Sequence, residues 1–134
     1  AKQIGTASEF IIFNRSDDDV KIKISTINEL YGVREMALLA VTLVMDRALI
    51  LPHLTKLYID AVDFEEQLSE NILQMLDKYS TDLDSVTISE TNICGAVPDT
   101  LVSRVKSFYL ESNDNLGYSM IVDRSRGIHE MVQH

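Results

Sequence analysis

Three histidines and one cysteine are the side chains best suited to hold a metal or attack a substrate, and their spacing argues against both roles. His129 and His134 lie five residues apart, with Glu130 beside the first. A zinc-binding helix needs its histidines at i and i+4, so that both face one ion. No metal role is expected here. Asp17, Asp18 and Asp19 are consecutive, whereas a calcium loop needs oxygens at alternating positions around a glycine-permitted turn. Three adjacent acids read as a solvated turn, and Asp82-Leu83-Asp84 fails in the same way. His53 follows Pro52 at an element boundary and reads as a structural surface histidine. Cys94, in Asn92-Ile93-Cys94-Gly95, has no flanking cation to depress its thiol, so an inert, half-buried thiol is expected.

Phosphate chemistry is no better supported. The glycines at 5, 32, 95, 117 and 127 never cluster into a cradle, and no Gly-x-Ser-x-Gly elbow occurs. Arg124-Ser125-Arg126-Gly127 is the one compact basic element. It suits bidentate contact with a phosphate or carboxylate, or simply balances Asp123. No cofactor is implied, and the balance leans away from an enzyme.

Charge carries more information. The chain has net charge −9, and all of it sits between residues 60 and 99. The acids there are Asp60, Asp63, Glu65, Glu66, Glu70, Asp77, Asp82, Asp84, Glu90 and Asp99, opposed only by Lys78. Such a field repels nucleic acid and anionic membrane and steers cationic partners. The expectation is a small acidic regulator, inhibitor, immunity-like protein or assembly factor that docks a basic protein through this segment. The plain alternative is a solvated acidic face that confers solubility. A different class is a small-molecule-binding domain or enzyme, with His53, Cys94, Tyr58 or Tyr118 lining a pocket between a sheet and long helices.

Compartment and elements follow from patterning. One cysteine permits no internal disulfide, which favours a reducing, cytoplasmic setting. No basic-then-apolar leader opens the sequence, so no signal peptide is expected. The run Met36-Ala-Leu-Leu-Ala-Val-Thr-Leu-Val-Met45 ends at Asp46-Arg47, well short of the roughly 20 residues a membrane helix needs.

Thr26-Ile27-Asn28-Glu29 resembles a capping box, and helix formers then dominate until Pro52, so a central buried helix is expected over 27–50. Its small-residue stripe Ala37, Val41, Val44 and Ala48 would serve as a packing seam or as a homodimer seam. The alternation Val20, Ile22, Ile24 predicts a strand that pairs with 9–14 as an antiparallel hairpin. Leu57, Ala61, Phe64, Leu68, Ile72, Met75, Leu76 and Tyr79 recur at three and four, which predicts a second long helix. A short strand over 86–89, a helix from 99 to about 109, a hairpin of 107–111 with 118–123 and a final helix over 128–133 complete the reading. Residues 1–7 and 131–134 look like loose ends, and no internal repeat is evident. The fold class expected is α+β in one domain over 1–134, with an N-terminal β-hairpin, two long helices and helices on one face of a mainly antiparallel sheet.

Overall fold

A computed structural model describes residues 8–65, 68–111 and 113–133, and its chain winds as a solenoid. Ten strands and three short helices follow one another in a repeating circuit. The strands β1 (Glu9–Phe13), β3 (Glu35–Leu39), β5 (Lys56–Asp60), β7 (Ser85–Ser89) and β8 (Ser107–Glu111) lie side by side, all parallel. Two antiparallel strands, β9 (Tyr118–Asp123) and β10 (Ile128–Gln133), extend this sheet to seven. After three of the parallel strands the chain turns into a second, three-stranded parallel sheet of β2 (Lys21–Lys23), β4 (Thr42–Val44) and β6 (Asp63–Glu65). It then returns through α1 (Ile24–Ile27), irregular chain or α2 (Ile72–Tyr79), while α3 (Asp99–Arg104) connects β7 to β8.

The circuit is written in the sequence at an irregular period. Val33, Met36, Leu38, Val41 and Leu43 are buried at offsets of three, two, three and two. Leu54, Leu57, Ile59, Val62 and Phe64 repeat those offsets, as do Leu83, Val86, Ile88, Thr91 and Ile93. Val105, Phe108, Leu110 and Asn113 carry most of a fourth copy. Successive parallel strands begin 26, 21, 29 and 22 residues apart, and this variation hides the repeat from a fixed-period reading. Each copy supplies two inward strand residues, and stacked copies share one continuous core, which no single copy could bury alone.

The turns that follow β3, β5 and β7 are built alike. Ala40, Ala61 and Glu90 each follow the last residue of a parallel strand and each has left-handed backbone, with φ 58°, 55° and 53°. Their amide groups donate to the next coil, Ala40 to the Asp60 carbonyl, Ala61 to Ser89 and Glu90 to Glu111, at 3.0, 3.0 and 3.1 Å. The second sheet stops at β6 because a side chain takes the place of a fourth strand. Asn92 accepts from the Phe64 amide at 2.7 Å and donates to the Phe64 carbonyl at 3.1 Å.

The expected α+β arrangement is therefore corrected. The apolar run 36–45 contains β3 and β4 rather than a central helix, so its small residues form no stripe: Val41 is buried, and Ala37 faces outward from β3. Parallel strands buried in a solenoid read as nearly continuous apolar runs, and pairing on both edges overrides the helix propensity of Leu, Met and Ala. Thr26 lies inside α1, whose N-cap is Lys23 with no capping side chain.

The N-terminal hairpin does not form either, since β1 pairs in parallel with β3 and β2 with β4. Of the second long helix only α2 is helical; 57–65 holds β5 and β6, because spacings of three within the repeat imitate a helical period. α3 ends at Arg104, and 107–111 enters the sheet as β8, antiparallel to β9. The segment 128–133 is strand β10, not a helix. The strand expected at 86–89 is β7. The expectation for residues 1–7 lies outside the described residues. Among the described residues no helix is long and apolar enough to cross a membrane.

Candidate functional site

Alternation along the seven-stranded sheet sends every second side chain away from the core. On β5 Leu57 and Ile59 are buried, so Lys56, Tyr58 and Asp60 point outward; the other parallel strands alternate in the same phase. Register then aligns the outward residues into rows across the sheet. The middle row is Ile11, Ala37, Tyr58, Thr87, Tyr109, Ile121 and Glu130. One flanking row runs Glu9, Glu35, Lys56, Ser85, Ser107, Asp123 and Ile128. The other begins Phe13, Leu39, Asp60, Ser89 and Glu111.

This face is both apolar and acidic. Ile11 is 61% exposed, Phe13 53%, Tyr58 43% and Val132 56%, although nonpolar side chains of this size usually find cover in a core. Around them stand six carboxylates, Glu9, Glu35, Asp60, Glu111, Asp123 and Glu130, with Lys56 outward on β5, Arg126 beside Asp123 and the Arg15 guanidinium 5.0 Å from the centre of the Phe13 ring. Lys56 approaches Glu35 at 3.8 Å. Arg126, from the β9–β10 turn, donates to Asp123 at 2.8 Å. Hydrogen bonds from Ser125 first, and from Arg126 second, hold the Asp123 carboxyl below its ordinary range. The Glu111 charge, and then its hydrogen bond, push the Tyr109 phenol up. Ser85 and Ser107 share a hydrogen bond of 2.8 Å between their hydroxyls in the flanking row, and Thr87 stands between the two tyrosines in the middle row.

A shallow depression of about 290 Å³ opens on the first half of the face, over Ala37. Ile11 and Tyr58 wall it, Glu9, Glu35 and Lys56 rim one end, and Ser85 and Thr87 lie on its far side.

Of the eight acids singled out in the sequence, the seven among the described residues lie on different elements. Asp60 closes β5 on the outward face, whereas Asp63 and Glu65 belong to β6 in the second sheet. Glu65 pairs with Lys21 at 2.8 Å, and Glu70, just before α2, pairs with Lys78 at 2.8 Å. Asp77, on α2, accepts from the Thr100 hydroxyl at 2.5 Å and lies 3.7 Å from Arg104. Asp82 and Asp84 are exposed in the connection leading to β7, and Glu66 lies outside the described residues. The segment from 60 to 84 is one circuit of the solenoid, so its described acids belong to the first sheet, the second sheet, α2 and the connections between them.

The other candidates stay apart. His53 sits in the turn before β5, and Cys94 lies beyond Ile93 after β7, at the opposite end of the strands. Cys94 is exposed rather than half-buried. Tyr58 is on the outward face, while Tyr118 is partly buried against the core, and that burial raises its phenol. Among the described residues no cluster of three metal-binding side chains occurs, and Asp17, Asp18 and Asp19 form an exposed turn. Arg124 is engaged with the Val105 carbonyl.

Sequence reasoning missed the outward rows because their members lie a coil apart. The recurring Leu-x-x-Leu-x-Leu spacing was the signal that would have found them. Comparison with protein-family models, curated proteins and solved structures found no match for this chain.

Proposed function

We propose that this chain is a protein-binding module that docks a basic partner on the outward face of its seven-stranded sheet. The observation that carries the reading is the combination on one surface of exposed Ile11, Phe13, Tyr58 and Tyr109 with six carboxylates against three cations, Lys56, Arg126 and Arg15, the last lying over the Phe13 ring. Aromatic and aliphatic side chains supply the buried centre of a contact, and rim charges choose its partner and speed the encounter. The buried-residue spacing is that of leucine-rich solenoids, whose sheets line an extended surface suited to binding other chains. A basic partner is favoured over nucleic acid, since carboxylates outnumber cations two to one on this face.

Capture from the native host tests this by comparing wild type with the Tyr58→Ala/Tyr109→Ala pair. A basic protein retained by wild type, released as salt rises and lost from the double variant is the expected result. Each single tyrosine change should weaken binding about 10-fold or more, as central aromatic anchors do. Retention that is unchanged in the double variant but lost when Asp63, Glu70 and Asp82 are reversed to Lys would move docking to the acidic circuit of residues 60–84 and overturn the strand-face reading.

A further inference from the structure

We infer that the depression over Ala37 is a subsite for an arginine side chain of that partner; the inference rests on the strand face being the docking surface. Three features point to this occupant. First, Ala37 is the smallest residue of its row and stands between Ile11 and Tyr58, so the row dips where a long, thin side chain can lie. Second, Glu9 and Glu35 face each other in register on adjacent strands. Like charges directly opposite each other in a sheet are unfavourable, and a cation between them relieves the conflict. Lys56 stands 3.8 Å from Glu35, and both side chains remain about half exposed or more, at 62% and 48%. A pair so wet holds its partner weakly, so an incoming guanidinium can take over Glu35. Third, Tyr58 is exposed along the wall of the depression and offers its ring to a planar cation.

Arginine suits all three better than lysine. Its aliphatic stem packs on Ile11 and the Ala37 floor, its plane stacks on Tyr58, and its forked N–H groups reach two carboxylates at once. A lysine ammonium is a compact, strongly hydrated charge that can neither stack nor fork.

The test titrates the full chain with N-acetyl-arginine-N-methylamide and follows backbone amide shifts. The lysine analogue and the neutral citrulline analogue serve as comparisons. The expected result is a saturable shift centred on Ile11, Ala37 and Tyr58, at least about 10-fold weaker with either analogue, as loss of a charge-assisted forked contact requires. Ala37→Met should abolish it by filling the dip, and Glu35→Gln should weaken it about 10-fold through loss of one charged acceptor. Both positions face solvent from the sheet, and the amide spectrum itself reports whether each variant is folded. Absence of a saturable shift, equal binding of the citrulline or lysine analogue, or undiminished binding to Ala37→Met would overturn the subsite. If partner capture still depends on Tyr58 and Tyr109, only the subsite falls. If capture ignores those tyrosines, the docking surface falls with it.

Discussion

Single asparagines do much of the joining between coils. Asn71 caps α2: its carboxamide oxygen accepts from the Gln74 amide at 3.0 Å, and the Gln74 side chain accepts from the Asn71 amide at 2.7 Å. The same Asn71 donates to the carbonyls of Cys94 and Ala96 in the next coil. Asn71→Ala removes a helix cap and leaves two carbonyls without that donor, so denaturant titration should show a loss of about 2–3 kcal/mol. A loss below about 0.5 kcal/mol, the usual range for a surface change, would mean that the cap does not hold.

Tyr109 offers a titration at the same scale. The adjacent Glu111 carboxylate favours the neutral phenol in the folded chain, so the folded value lies above the unfolded one, which is about 10. Stability from this contact is present below the unfolded value and is lost as pH rises through the folded one. Glu111→Gln should bring the Tyr109 titration down toward the ordinary range in an ultraviolet or NMR titration. An unchanged titration would remove Glu111 as the cause.

At the scale of elements, the turns after β3, β5 and β7 lead the chain out of the seven-stranded sheet, and after β3 and β5 into the second sheet. Ala40, Ala61 and Glu90 hold left-handed backbone there without being glycine. The conformation persists because each amide is tied to the neighbouring coil. At Ala61, a β-branched residue adds χ1 crowding to the left-handed cost, which is about 1–2 kcal/mol for an L-residue. Thermal unfolding should therefore show Ala61→Val destabilised by about 1–2 kcal/mol, with Ala61→Gly within about 0.5 kcal/mol of wild type, because glycine's relief of strain is offset by its larger unfolded-state entropy. Equal effects of valine and glycine would show that the backbone angle is not what limits this position.

The whole molecule is a stack, and its stability should be distributed as in a stack. Each coil contacts its neighbours, so inner coils are supported on two sides and outer ones on one. β5 and β7 lie inside, with buried Leu57, Ile59, Val86 and Ile88. β10 is the outer edge, and its residues from His129 onward are exposed on both faces, including Met131 at 54%. Amide hydrogen exchange should be slowest in β5 and β7 and fastest in β10, with β1 between. Uniform protection from β5 to β10 would indicate a single cooperative unit. The stack also explains the surface: neighbours on the outward face are residues of successive coils, so its acidity comes from Glu9, Glu35, Asp60, Glu111, Asp123 and Glu130, which are scattered along the chain.

Some strands were legible in the sequence itself. The strands at 86–89 and 118–123 announced themselves by alternation and apolar content. The core residues were legible too, but their geometry was not. Spacings of three and two fit a strand followed by a turn as well as they fit a helix, and only pairing with partners a coil away chooses between them. The surface was least legible of all. Residues 60–84 are contiguous in sequence yet pass once around the coil, while Ile11, Ala37, Tyr58 and Tyr109 are distant in sequence yet adjacent in one row. Neighbourhood on a solenoid is set by hydrogen-bond register between coils, a long-range quantity that tertiary structure decides.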